Sequence, residues 1–165
     1  MIGVLVVDDD FMVARVHRGF VERVPGFRVV GEAHTGAGAL DAATRLRPDL
    51  VLLDIYLPDM TGLDVLQALR SREDRNVDVI AVTAAREVET IHAAMLGGVA
   101  QYLVKPFGFA ALRERLEQYA AARQSLERMA EPGQDDVDRV FQLMRGASAA
   151  ATRAPLPKGL SQQTC

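Results

Sequence analysis

Six side chains in this 165-residue chain could do chemistry, and each stands where an apolar run stops. Asp8, Asp9 and Asp10 follow Val4-Leu5-Val6-Val7, and Asp54 follows Leu50-Val51-Leu52-Leu53. Thr83 follows Val79-Ile80-Ala81-Val82, and Lys105 follows Gln101-Tyr102-Leu103-Val104. Carboxylates gathered in one place raise one another's pKa and repel unless a cation compensates them. A hard divalent ion does this, and Mg²⁺ suits two carboxylates, a backbone carbonyl and waters. Such a site fits phosphoryl transfer, in which the metal neutralises charge while a positioned nucleophile attacks in line. Asp54 has the carboxylate for an aspartyl phosphate. Lys105 offers a compact ammonium for a phosphoryl oxygen, and Thr83 a hydroxyl donor. Of 19 basic residues only Lys105 and Lys158 are lysine, so a lysine after a strand points to a need for that geometry.

The elements that must position these groups are legible in the periodicity. The continuous apolar runs predict strands buried on both faces of a parallel sheet, with Phe27–Ala33 as a further strand. Helical faces lie between them: Val13, Val16, Phe20 and Val24; Leu63, Leu66 and Leu69; Ile91 and Met95; Leu112, Leu116 and Tyr119. The Ala-rich segment 37–46 completes the series. Pro25-Gly26, Pro48-Asp49, Pro58 and Gly97-Gly98 fall where turns belong. Five strand–helix repeats make an α/β sheet with helices on both faces, and right-handed crossovers bring functional groups to the carboxyl ends of the strands. Taken singly, an acidic cluster can be a solvated turn, a threonine a cap and Lys-Pro a loop. Four such features, at the ends of four of the five strands, form one pattern.

Totals narrow the function classes. Residues 1–107 carry 11 basic and 15 acidic side chains, and residues 108–165 carry 8 and 7. Neither part has the basic excess that nucleic-acid binding requires. No apolar run reaches the roughly 20 residues of a membrane span. The N-terminus reads as a strand rather than a leader, so a cytoplasmic location is expected. The single cysteine, Cys165, allows no intrachain disulfide. His17, His34 and His92 lack metal-ligand spacing and read as ordinary surface or helix residues.

Val6-Val7-Asp8-Asp9-Asp10, the segment Leu53–Gly62, Val82-Thr83-Ala84 and Val104-Lys105-Pro106-Phe107 resemble the signature segments of two-component response regulator receiver domains. The resemblance covers about residues 2–120. It implies a flavodoxin-like (CheY-like) five-stranded sheet in the order 2-1-3-4-5, with Asp54 as phosphoacceptor and a sensor histidine kinase as partner. It implies Mg²⁺ bound by Asp9 directly, by Asp8 mainly through water, by Asp54, and by the Tyr56 backbone carbonyl. Thr83 and Lys105 would contact the phosphoryl group. Tyr102 matches the aromatic switch position that responds to Thr83, and the bond before Pro106 would be cis. Tyr56 and Ala85 occupy positions that would tune the acyl-phosphate lifetime through access of water. The chain would act as a switch and not chiefly as an enzyme. A Mg²⁺-dependent aspartyl phosphatase would carry a second acid two residues after its nucleophile, where this chain has Tyr56. A nucleotide or flavin binder would have a Gly-rich loop after the first strand, where this chain has three acids.

Beyond the receiver, residues 109–131 predict a long helix with Leu126 and Met129 on or near its stripe, and Asp135–Arg145 a short one. Residues 146–157 are rich in Ala, Ser, Thr and Pro and read as a linker. The expected division is receiver 1–122, helical connector 123–146 and flexible linker 147–165. The helices and Leu156-Pro157-Lys158-Gly159-Leu160 resemble the connector of regulators of citrate and four-carbon dicarboxylate metabolism. That resemblance implies transcription control through a helix-turn-helix domain following Cys165, so DNA would be contacted only through that domain. Receivers of this family also pair through the fourth helix, fifth strand and fifth helix. The spacing of Leu112, Leu116, Tyr119 and Leu126 could extend such a homodimer seam.

Overall fold

A computed structural model describes residues 1–72, 77–84 and 88–128. Strands β1 (Ile2–Val7), β2 (Phe27–Ala33), β3 (Leu50–Asp54), β4 (Asp78–Thr83) and β5 (Gln101–Val104) alternate with helices. The helices are α1 (Phe11–Glu22), α2 (Gly36–Leu46), α3 (Gly62–Arg70), α4 (Val88–Leu96) and α5 (Phe109–Glu127). All strand pairs are parallel and the order is β2-β1-β3-β4-β5, as expected. The first and third strands read as unbroken apolar runs because both of their faces are covered. Val4, Val6, Leu50, Leu52, Ile80 and Val82 pack with Leu112, Leu116 and Tyr119 of α5 and with Ala14 and Val21 of α1. Leu5, Val7, Val51, Leu53 and Val79 pack with Ala39, Ala42, Ala43, Val65, Leu66 and Leu69 on the opposite face. Each fully buried Leu or Val contributes about 1.5–3 kcal/mol, so the centre of the sheet holds its strand ends rigidly.

One helical expectation changes. The buried face of α1 is Ala14, His17 and Val21, while Val16 is 50% exposed. Helix phase is fixed by the Asp10 cap, and the small Ala14 lets the helix lie close to the sheet; a hydrophobicity pattern counts neither Ala14 nor His17. Helix α5 ends at Arg128, whose amide bonds to Gln124 and Leu126 carbonyls. Residue 122 lies inside this helix, as the long helix expected over 109–131 already implied. Met129, the short helix 135–145, most of the connector, the linker, Lys158, Cys165 and Ala85 lie outside the described residues.

Candidate functional site

At the carboxyl edge of the sheet the chain must turn from strand to helix, and the acids divide that work. Asp8 is buried, and its Oδ1 accepts the Asp10 amide at 2.9 Å, closing the turn. Asp10 is exposed and caps α1, accepting the Met12 and Val13 amides at 2.9 and 3.2 Å. Asp9 stays exposed. Asp54 ends β3 and is 4% exposed, and its Oδ1 accepts the Tyr56 amide at 3.1 Å. Carboxylate oxygens of Asp8, Asp9 and Asp54 lie within 4.8 Å of one another. Of the three adjacent acids expected at this edge, two join the cluster and the third is structural.

Lys105 reaches across from β5. Its Nζ stands 2.7 Å from Asp8 Oδ2, an ion pair by distance rather than an aligned hydrogen bond, and 3.2 Å from Asp54 Oδ2. Its own amide donates to the Thr83 carbonyl at 2.8 Å, which ties the lysine to the end of β4. Thr83 is buried there. Burial pushes the Asp54 pKa up; the Lys105 charge and the Tyr56 amide oppose the rise, and Asp8 adds to it. The mutual raising expected of gathered carboxylates is present through Asp8, but desolvation is the larger cause. Burial alone would lower the Lys105 pKa, but Asp8 and Asp54 outweigh it and the net shift is upward.

Three carboxylates against one ammonium leave two formal negative charges, two of the acids being buried. All donors are hard oxygens on one wall, which fits a Mg²⁺ ion that keeps several waters.

The loop after β3 closes the site. Gly62 begins α3 so near the strand that a Cβ would stand 2.5 Å from the Asp54 carbonyl oxygen and 2.6 Å from Ile55 Cα. Asp59 accepts the Gly36 and Ala37 amides at 2.7 and 2.9 Å, holding the first turn of α2; the Ala37 bond, then the Gly36 bond, lower its pKa. Tyr56 is half exposed beside Asp54. Tyr102 is buried with Ile55, Ala81 and Ala94, and burial raises its pKa. The Lys105–Pro106 bond is cis.

An open groove of about 280 Å³ adjoins the lysine, lined by Met12, Val13, Val16, His17, Lys105, Pro106 and Phe107. Its rim carries Met12, 75% exposed, and Val16. His17, expected to be an ordinary surface or helix residue, lies in α1, where it is 6% exposed and stacks on Phe107 at 4.7 Å between ring centroids. Burial lowers its pKa, with Asp8 opposing and Lys105 reinforcing. Only its position on the inner face of α1 could have revealed it. His34 stacks on Phe11, 3.7 Å between centroids, and His92 is exposed.

The opposite edge of the sheet carries a polar network that sequence patterns did not reveal. Tyr119 donates to Asp78 Oδ2 at 2.6 Å, and Arg123 reaches Tyr119 Oη at 3.4 Å and Asp49 Oδ1 at 3.3 Å. Asp49 in turn accepts the Gly3 amide at 2.9 Å. The network pins α5 to the starts of β1, β3 and β4.

Residues 4–117 match the family model described as response regulator receiver domain. Over 164 residues the chain is 40% identical to the probable C4-dicarboxylate response regulator DctR of Halalkalibacterium halodurans, covering 99% of this chain and 70% of that protein. It is 37% identical to the transcriptional regulatory protein CitT of the same organism, covering 98% and 70%. A solved response regulator receiver domain protein (CheY-like) from Methanospirillum hungatei superposes with a TM-score of 0.67 at 26% identity, over 75% of this chain and 97% of that one.

Proposed function

Because the chain belongs to the response regulator receiver domain family, we propose that it is a phosphorylation-controlled switch that accepts a phosphoryl group on Asp54 from a sensor histidine kinase. The observation that carries this reading is the convergence of buried Asp54 with Asp8, Asp9 and Lys105. A carboxylate oxygen of Asp54 forms the new bond to phosphorus. The donor's bond to phosphorus breaks, and its electron pair leaves with the donor. Asp8, Asp9, Asp54 and the Tyr56 carbonyl would hold Mg²⁺, which neutralises charge on the transferring group. Lys105 exchanges carboxylate contacts for a phosphoryl oxygen, and the Thr83 hydroxyl supplies a second donor. The phosphoryl group adds about −1.5 to −2 charge, enough to bias a two-state equilibrium in β4, β5 and Tyr102. A protein donor reaches Asp54 past the apolar groove whose rim carries Met12 and Val16.

The chain acts as a switch rather than a turnover catalyst, since Tyr56 stands where an aspartyl phosphatase needs its second acid. Transcription control is supported by the name of the relative CitT, of which the chain covers 70%, and a DNA-binding domain would exert it. Pairing through α4, β5 and α5 is supported by Leu126, which is 51% exposed, and by Leu96, 76% exposed. Among the described residues no helix is long and apolar enough to cross a membrane, in keeping with work in the cytoplasm. Incubation with acetyl phosphate and Mg²⁺ tests the central reading. One acid-stable, base-labile label per chain is expected, lost in Asp54→Asn. Undiminished labelling of that variant refutes it.

A further inference from the structure

We propose that His17 is a positioning residue for Lys105, holding through Phe107 the loop that aims the ammonium at Asp8 and Asp54. The inference rests on the reading of Asp54 as phosphoacceptor. Apart from the two ion pairs at its ammonium, Lys105 is lightly held at its base. Its backbone is tied to Thr83 by one hydrogen bond, and its long side chain is 22% exposed where it borders the groove. A four-carbon stem delivers its charge to one place only when its base is fixed. Phe107, two residues on, is the next part of the loop that packs on the core.

An aromatic row fixes that contact. Phe107 stacks on His17 with an interplanar angle of 22°, and His17 meets Phe20 at 6.4 Å. Phe20 meets Phe109 at 5.9 Å, and the Arg23 guanidinium covers Phe109 at 3.9 Å. The row therefore runs from the Lys105 loop, through α1, to the start of α5. His17 is its second member, the ring that links Phe107 to Phe20. Among the described residues its ring has no hydrogen bond or ion pair, and its aromatic contacts are these two rings. Its face is spent on Phe107, so it acts on the lysine through the loop. Deleting the ring would open space beneath Phe107, into which the loop can relax because the groove beside it is already open.

The test compares the full chain with His17→Ala and His17→Phe. Initial rates of labelling by acetyl phosphate with Mg²⁺ are measured beside Mg²⁺ affinity by calorimetry. His17→Ala should label about tenfold more slowly, within the ~10²-fold cost of a misplacement near 1 Å, with Mg²⁺ affinity inside about twofold of wild type. His17→Phe restores a stacking ring and should recover most of the rate. Wild-type labelling of His17→Ala overturns the inference. So does a parallel loss of Mg²⁺ affinity, or a His17→Phe variant as slow as His17→Ala. A wild-type chain that takes no label overturns the phosphoacceptor reading, and this inference with it.

Discussion

Replacing Lys105 by methionine keeps most of the stem and removes the charge, leaving Asp8 and Asp54 buried together without their cation. The ammonium lies 2.7 Å from one carboxylate and 3.2 Å from the other, and their side chains are 1% and 5% exposed. Removing one partner of a fully buried ion pair costs about 3–5 kcal/mol. The lysine side chain is 22% exposed, so solvent screens part of the interaction and about 2–3 kcal/mol is expected. For a domain of this size that lowers Tm by roughly 8–12 °C. The pKa of Lys105 is raised on folding, so its contribution is fully present below the ordinary lysine value and is lost only as pH rises through the higher folded value. The full effect therefore appears at neutral pH. Mg²⁺ should reverse it, because a more negative site binds the ion more tightly and ligand at about 100 times its Kd adds ~2.7 kcal/mol. Thermal unfolding followed by circular dichroism, with chelator and then with saturating Mg²⁺, reads both effects. A variant that melts within about 2 °C of wild type in chelator refutes the electrostatic reasoning. So does one that gains no more from Mg²⁺ than wild type does.

Three further outcomes are expected. Asp54→Asn should raise the metal-free Tm at neutral pH and flatten its pH dependence. Burial raises the Asp54 pKa, so its stability contribution is present below the ordinary carboxylate value and is lost as pH climbs through the folded value; unchanged urea-unfolding curves across that window would contradict this. Gly62→Ala puts a methyl against backbone that cannot yield and should cost about 1–3 kcal/mol in urea unfolding; a neutral result would mean that α3 can move off β3. Tyr119→Phe removes the 2.6 Å bond to Asp78 and should cost about 1–2 kcal/mol, with faster amide exchange along α5 if the network anchors that helix.

The alternation of apolar runs and helical patterns determined the sheet and the edge at which functional groups meet, while the strand order came from the resemblance of the motifs to receiver domains. Strands covered on both faces have to be apolar along their whole length, so β1, β3 and β4 announced themselves and their ends marked Asp8, Asp54 and Thr83. Lys105 was legible for a further reason, being one of two lysines in an arginine-rich chain. What remained hidden depends on rotation and on pairs distant in sequence. The phase of α1 put His17 inside and Val16 outside because a cap made by Asp10, rather than average hydrophobicity, sets where the helix begins. Asp9 and Asp10 are neighbours of the same type, yet the turn after β1 gives one to the cluster and the other to a helix end. Asp49 and Arg123 meet across 74 residues, a contact that no local pattern encodes. The sequence by itself thus determined which residues stand at the functional edge, because burial constrains composition. Only the tertiary structure decided which of them face one another, because a side chain's direction is set by the cap, turn and neighbour that hold its backbone.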